Sequence, residues 1–537
     1  MKILFINPSL RPDAGSGEEG SGTYKQFPVG LGYIVTYVKK AGYEFDILDI
    51  DIHSLSDNET EEYIRENPYD IIAFGCISTH YKWSKWLIHT IKRHQPECTV
   101  IVGNSVGESM PEILFANVPV DIIVKGEGEV TTVELFDALR DGRPLGNAVE
   151  PIEELPNPNG GPYQALVKGI GIEGLIFRDS KGQLVSTGLR KATLHIDEYG
   201  TPDWDLFDVE KYLKSTSTNT RGHTTRFAKD EAVVMPISTA RGCVFKCTFC
   251  HYTQWDDPYR HRSADQIVEE IRFHKGKYGA NYFNFWDDLS FHKLGPAEKF
   301  LDALIEADLN IHFTASCRAD LFGRNEIPRK DRLRVAQKFK DAGCIVLNYS
   351  LESANAEILG AMNKRINKEY FRETVNILRE TGGIVTMTSL VLGYPQETKD
   401  TIQESMQLCY ELQIYPSCGF LLPLPATEMW RYCIENGHIT EPDKFLQDVT
   451  ERQDIILNLT EMSDEELYNE VVAGLTSLSE ALDLGLEGGS LIRTGGMTKH
   501  GKNQDKSAQE DEKKLVTTNL QADNVPELNY SKMEGGM

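Results

Sequence analysis

The chain has no apolar run approaching the ~20 residues needed to cross a bilayer. Its first residues, MKILFINPS, carry neither an extended basic region nor a small-residue cleavage site. They read as a first strand and not as a signal peptide, so the protein is expected to be cytoplasmic, with no membrane span. Positive charge is also scarce, since 56 Lys and Arg stand against 81 Asp and Glu, a net charge of −25. That argues against a broad, sequence-independent grip on nucleic acid, which requires neutralising phosphates with Lys and Arg. A small anionic substrate in a locally basic pocket stays possible. Ten cysteines in 537 residues are too sparse for a disulfide scaffold. The Gly/Ser/Glu-rich stretch 13–22 has no Walker lysine pattern and reads as a loop rather than a phosphate cradle. No repeat shows beyond an alternation of strand-like and helix-like segments.

The length suggests two to four domains. Over the first ~140 residues, short apolar runs alternate with amphipathic helices: ILFI (3–6), FDILDI (45–50), DIIAF (70–74), TVIV (99–102) and VDIIV (120–124). Near-continuous apolar strands are those covered on both faces of a parallel sheet. Five such βα units predict a doubly wound, flavodoxin-like α/β domain over residues 1–145, with its ligand at the carboxyl ends of the strands. Asn7-Pro8, Ser78-Thr79, Gly103-Asn104 and Gly126-Glu127-Gly128-Glu129 stand at those ends.

The segment PIEELPNPNGGPY (151–163) marks a boundary, and residues 146–232 read as a connector containing a hairpin, GLIFRDSKGQLVS. The βα rhythm resumes at MPISTA (235–240) and continues through YFNFW, IHFTA, CIVLNYS, IVTMTSLVL and YPSCGF. Six parallel units over 233–440 predict a partial (β/α)6 barrel, with chemistry at the C-terminal ends of its strands. Residues 441–486 read as a small helical region, with Ser463 and Glu466 fitting a capping box. Residues 487–537 read as a disordered tail.

Seven cysteines are scattered, mostly in apolar segments, where packing explains them. The other three, Cys243, Cys247 and Cys250, crowd into the sequence ISTARGCVFKCTFC (237–250), directly after the first barrel strand. A C-x3-C-x2-C set offers soft thiolates suited to an iron–sulfur cluster or to zinc, or the thiols stand uncoordinated. Three features favour the cluster. No second cysteine pair lies nearby to complete a tetrahedral zinc site, His251 is poorly placed as a fourth ligand to the same ion, and the motif sits where barrel chemistry belongs. Three thiolates on four irons leave one iron open.

With Phe249 immediately before its last cysteine, the motif resembles that of the radical S-adenosylmethionine (SAM) superfamily. YRHRSADQIVEEI (259–271), FWDDLSF (285–291), SLESAN (350–355) and LVLGYPQETKDTI (390–402) resemble the segments that follow it there, in the same order. The resemblance implies that Asp287 and Asp288 meet the SAM amino group, Glu352 faces its ribose, and Gly393 lies on the adenine side. Arg318 is a candidate for the SAM carboxylate, with an ion pair as the competing explanation. FPVGLGYIVTYVKKAGYE and VDIIVKGEGEVT (120–131) resemble the cobalamin-binding domain of cobalamin-dependent radical SAM enzymes. By that resemblance Pro28, Gly30, Leu31, Ser78, Thr79, Gly103, Gly126, Glu127 and Gly128 would line cobalamin.

Asp51-Ile52-His53 looks like the start of a cobalt-ligating D-x-H-x-x-G motif, but it follows the second strand instead of the first and has Ser56 in place of Gly. His53 is therefore read as an ordinary loop histidine. Two further departures from the family are Gly103-Asn104 for paired glycines and Pro425-Ala426-Thr427 for Pro-Gly-Thr.

The family implies a 4Fe-4S cluster, SAM and cobalamin as cofactors, a small-molecule substrate, and an electron donor such as flavodoxin or ferredoxin. Its commonest reaction is methylation of an unactivated carbon or phosphinate phosphorus, through a 5′-deoxyadenosyl radical and methylcobalamin. An oxidative cyclase or rearrangement enzyme, as in the magnesium-protoporphyrin branch, is the alternative. A non-catalytic cobalamin or redox sensor is a third reading, disfavoured by the full set of SAM-contact segments. His251, Tyr252, Trp255 and His261 are candidate substrate contacts; no catalytic acid or base is evident.

Overall fold

The computed structural model describes residues 1–8, 25–217, 232–251, 258–449, 452, 454–488 and 491–492. The Gly/Ser/Glu-rich stretch, Tyr252, Trp255 and nearly all of the expected tail lie outside the described residues.

The five expected N-terminal strands are β1 (Ile3–Asn7), β2 (Asp46–Asp49), β3 (Ile71–Gly75), β4 (Thr99–Gly103) and β5 (Ile122–Val124). They pair in parallel in the order β2-β1-β3-β4-β5. This is the flavodoxin-type order, whose switch point lies between β1 and β3. β1 is buried along its whole length, as a continuous apolar strand between helical layers should be.

The connector departs from its sequence reading. It adds β6 (Gly146–Ala148), β7 (Leu166–Gly171), β8 (Leu175–Arg178) and β9 (Leu184–Ser186). β8 and β9 form the expected hairpin, but β8 pairs antiparallel with β5, so the N-terminal sheet has nine strands. The physical reason is the open edge of β5, whose unpaired backbone groups need a partner. Helix Val209–Ser217 continues the union. Its Tyr212 is buried, donates a 2.7 Å hydrogen bond to Asp49, and stacks on Phe27 with ring centroids 4.7 Å apart.

The second sheet begins with β10 (Val234–Ile237), followed by a short antiparallel pair, β11 (Ala240–Arg241) and β12 (Arg260–His261). β13 (Tyr282–Phe285), β14 (His312–Ser316), β15 (Cys344–Asn348) and β16 (Val385–Met387) continue it in parallel from β10. β17 (Ser389–Leu392) and β18 (Ser417–Phe420) pair separately and are linked back by a bridge between Glu352 and Leu390. The expected strand 384–392 is thus interrupted at Thr388, whose hydroxyl accepts from the Leu351 N–H. The arrangement is a partial barrel of six parallel segments.

Helix Asp464–Ala481 opens with the expected reciprocal capping box between Ser463 and Glu466. It packs on helix Lys399–Glu411, where Gly474 leaves room for Met406. Further back, Asp443 accepts from Lys85 at 2.9 Å and from Tyr81, fastening this region to the N-terminal domain. Among the described residues no helix is long and apolar enough to cross a membrane.

Two backbone positions test the packing. Gly343, at φ +95°, turns helix Arg329–Asp341 into β15, and a β-carbon there would collide with the Ile311 carbonyl. Ala426, where the family has glycine, adopts φ +63°. Gly343→Ala should lower unfolding stability by about 2–3 kcal/mol, and Ala426→Gly should raise it by about 0.5–1 kcal/mol. Denaturant titration followed by circular dichroism checks both; shifts of the same sign would contradict the backbone geometry.

Candidate active site between the sheets

The carboxyl ends of β1, β3, β4 and β5 open onto a cleft whose far wall belongs to the barrel. Asn7, Gly75, Gly103 and Gly126 line the first side; Ser238, Arg241, Gly242, Trp286, Asp287 and Asp288 line the other. Gly30, Leu31, Glu127 and Gly128 complete the lining from helix Val29–Lys40 and the turn after β5. A β-carbon on Gly30 would meet nothing within 4 Å, and one on Gly103 only the Val124 carbonyl at 3.9 Å. Side chains at these positions would therefore project into the cleft, and the glycines keep it open to a broad ligand. Gly126 adopts φ +70°, which sets the turn that carries Glu127 and Glu129.

Other residues expected at this site stand differently. Pro28 precedes the helix and accepts from the Gly32 N–H. Ser78 donates to Ser105 through both its N–H and its hydroxyl, at 2.9 and 3.1 Å, and the Thr79 hydroxyl lies 3.2 Å from His80 Nδ1. None of the three lines the cleft. His53 is exposed at the end of helix Ile50–His53, 2.9 Å from Lys211 Nζ, as an ordinary loop histidine would be.

The three cysteines follow β11 in a loop held from several sides. The Cys250 N–H donates to the Cys247 carbonyl at 3.1 Å, closing a tight turn. Thr248 donates through its N–H to the Met362 carbonyl and through its hydroxyl to Ala361, and its own carbonyl accepts from Met429. Asn363 donates to the Lys246 carbonyl at 2.6 Å. Cys247 is buried, while Cys243 and Cys250 are partly exposed. The loop is thus shaped by the turn after helix Ala356–Ala361, more than a hundred residues away.

That turn also organises the remaining candidates. Lys364 Nζ pairs with Glu352 at 2.7 Å and lies 6.0 Å from the centroid of the Phe249 ring. Glu352 adopts φ +65°, an uncommon conformation for a non-glycine residue. Phe249 packs edge-on against Tyr394. The Arg318 guanidinium stacks on Phe245 at 3.4 Å, bonds Asp320 at 3.2 Å, and donates to the Lys364 carbonyl. These contacts use two of the five guanidinium donors and leave others for a carboxylate.

Asp287 lines the cleft and is also bonded within its own domain. Its carboxylate accepts from the Thr239 N–H at 2.9 Å, the Ala240 N–H at 3.1 Å and the Thr239 hydroxyl. Burial pushes it above the usual carboxylate range against these bonds. Its neighbour Asp288 shares the cleft and acts electrostatically on Cys243 and His251. His261 packs against Phe291 and Phe300, each 5.7 Å away, and does not line the cleft.

Sequence reasoning missed a buried ion cluster across the cleft. Arg241 pairs with Glu127 at 3.1 Å and Glu129 at 2.6 Å, and Arg260 pairs with Glu127 at 2.9 Å. Burial would raise Glu127, but the two guanidinium charges outweigh it and hold the carboxyl below its ordinary range. The visible signal was two acidic residues in GEGE and two arginines flanking the cysteines; nothing in the sequence paired them.

Comparison with known proteins agrees with this geometry. Residues 237–409 match the family model of the radical SAM superfamily, and residues 20–136 that of the B12 binding domain. The chain belongs to the cobalamin-dependent radical SAM enzymes. It is 25% identical over 440 residues to an uncharacterized methyltransferase of Pyrococcus horikoshii, covering 81% of this chain and 84% of that one. It is equally 25% identical over 411 residues to the anaerobic magnesium-protoporphyrin IX monomethyl ester cyclase of Rubrivivax gelatinosus. That match covers 76% of this chain and 65% of the cyclase. The solved structure of the radical SAM methyltransferase TsrM from Kitasatospora setae, with cobalamin and a [4Fe-4S] cluster bound, superposes with a TM-score of 0.63 at 17% identity. It covers 97% of this chain and 99% of TsrM.

The cofactors are therefore a 4Fe-4S cluster, SAM and cobalamin, and the residues present fit them. Three thiols on one loop supply the soft donors that an iron–sulfur cluster takes. Among the described residues no three His, Cys, Asp or Glu side chains gather around a single ion; a cubane instead spreads its thiolates over separate irons. The glycine-lined cleft offers the open strand ends that a corrinoid in a flavodoxin-like domain requires.

Glu397, in the turn after β17, is buried and accepts from the Gly393 N–H at 3.3 Å and from the Thr401 hydroxyl. Burial pushes its carboxyl from 4.5 up to about 7. The folded protein keeps this proton where the unfolded chain loses it. Stability from this group is complete below about pH 4.5 and lost as pH rises through 7. Glu397→Gln should stabilise the protein by up to about 3 kcal/mol at pH 8 and change little at pH 4. Denaturant titrations at the two pH values check this; equal effects would refute it.

Proposed function

We propose that the protein is a methyltransferase acting on an unactivated carbon, or a phosphinate phosphorus, of a small-molecule biosynthetic intermediate. The observation that carries this reading is the shared cleft. Gly103, Gly126 and Gly128 face Arg241, Gly242 and Asp288 across it, so a corrinoid on one wall would look toward the cluster loop on the other. When bound, the cluster supplies an electron to SAM and cobalamin carries a methyl group.

In this proposal Cys243, Cys247 and Cys250 hold the cluster. Asp288 attracts the SAM amino group, while Asp287 fixes the Ser238–Ala240 turn behind it. Glu352, held by Lys364, presents its carboxylate to the ribose, and Phe249 and Gly393 border the adenosine. Gly30, Leu31, Gly103, Gly126 and Gly128 bed the corrinoid, and Glu127 serves through its backbone because its carboxylate is committed to Arg241 and Arg260. An external donor such as flavodoxin or ferredoxin supplies the electron. Oxidative ring closure without methyl transfer is the second reading, favoured by the similarity to the cyclase.

Anaerobic reconstitution with cobalamin, candidate substrates and SAM bearing a deuterated methyl group separates the two. Methylation predicts matched 5′-deoxyadenosine and S-adenosylhomocysteine, with deuterium in the product. Deoxyadenosine without S-adenosylhomocysteine would favour cyclisation. Cys243→Ala, Cys247→Ala or Cys250→Ala should each reduce SAM cleavage to background; surviving cleavage would overturn the cluster assignment.

A further inference from the structure

The ion cluster between the two walls does more than fasten them. Arg241 lies two residues before Cys243, on the short strand that leads into the cysteine loop. Its guanidinium reaches Glu127, at the end of the turn after β5, and Glu129, in the first turn of helix Gly128–Asp141; Gly126 and Gly128 beside them line the cleft. It also stands over the rings of Tyr33, at 4.8 Å, and Tyr199, at 4.6 Å. Tyr33 comes from helix Val29–Lys40 and lines the same cleft. Glu129 is 3% exposed and Arg241 is partly buried, so the pair is largely shielded from water.

We propose that Arg241 is a positioning residue that couples the two cofactor sites, so that filling one strengthens binding at the other. The inference rests on the cofactor reading above. A ligand pressed against Gly126–Gly128 and helix Val29–Lys40 fixes Glu127, Glu129 and Tyr33, and these fix the planar guanidinium of Arg241. With Arg241 fixed, Gly242 and Cys243 are held in one geometry, and the entropy of ordering the loop is spent once for both ligands. Arg260 braces the arrangement from β12, its guanidinium shared between Glu127 and the Thr193 carbonyl. Because coupling between two binding equilibria is reciprocal, a cluster in the loop must raise corrinoid affinity by the same factor.

Lysine could carry the charge but not the forked hydrogen bonds or the stacking between two rings. Arginine identity therefore matters beyond its charge.

The test measures hydroxocobalamin binding to the full-length protein by absorbance, under anaerobic conditions, with and without the reconstituted cluster. Loading of about four irons per chain and the corrinoid spectrum are verified first. In the parent protein the cluster should tighten corrinoid binding about tenfold. Arg241→Gln should reduce that ratio to near one while iron loading persists, and Arg241→Lys should restore it only in part. The electron paramagnetic resonance spectrum of the reduced cluster should shift on adding cobalamin in the parent and not in Arg241→Gln.

An unchanged ratio in Arg241→Gln, or a parent ratio of one, overturns the coupling. A general structural defect would weaken both affinities together and leave the ratio intact, which also overturns it. If Arg241→Gln fails to fold, the double variant Glu127→Gln, Glu129→Gln removes both carboxylates that Arg241 meets on the opposite wall. Loss of the ratio there supports the proposal and its retention refutes it. A parent that takes up neither iron nor corrinoid refutes the cofactor reading itself, and the coupling with it.

Discussion

The arrangement depends on one buried electrostatic contact, in which Glu127 and Glu129 of the flavodoxin-like domain meet Arg241 and Arg260 of the barrel. Isolated, each charge would be costly to bury; together they satisfy one another and fix where the two strand-end surfaces face. Both domains place their ligand sites at the carboxyl ends of parallel strands, as parallel α/β architectures do. Turning those ends toward one another makes a single cleft out of two sites. Chemistry that needs a cluster, SAM, a corrinoid and a substrate within reach of one another requires such an arrangement.

The cysteine loop shows a similar division of labour. The residues that carry the thiols are local, but the loop's shape comes from Ala361, Met362 and Asn363, which supply or receive its backbone hydrogen bonds. The same turn carries Lys364, which holds Glu352, and the carbonyl that occupies Arg318. One short segment thus braces the cluster loop and the proposed ribose contact together. Arg318 joins this bracing through the Lys364 carbonyl, whereas Asp287 holds the backbone at Thr239 and Ala240.

The connector illustrates how packing overrides a reading by segments. Its hairpin was legible from GLIFRDSKGQLVS, yet the strands complete the N-terminal sheet by covering the edge of β5. Helix Val209–Ser217 then drives Tyr212 into that domain to reach Asp49 and Asn7. Edge pairing and such long-range hydrogen bonds leave no local periodicity. Ala426 shows the converse. The sequence marked it as a departure from the family, and the backbone explains why glycine is usual there, since φ is +63°.

The sequence by itself determined the βα order, both fold classes, the capping box at Ser463 and the three thiols, because hydrophobic period and ligand spacing are local properties. It also carried, through resemblance, the pairing of a radical SAM barrel with a cobalamin domain. Only the tertiary structure decided that Glu127 commits its carboxylate to arginines, that Ser78 and Thr79 stand outside the cleft, and that Asp287 holds the backbone at Thr239 and Ala240. These outcomes depend on which charges meet across more than a hundred residues of chain. Only burial in a shared, water-poor boundary makes such meetings specific.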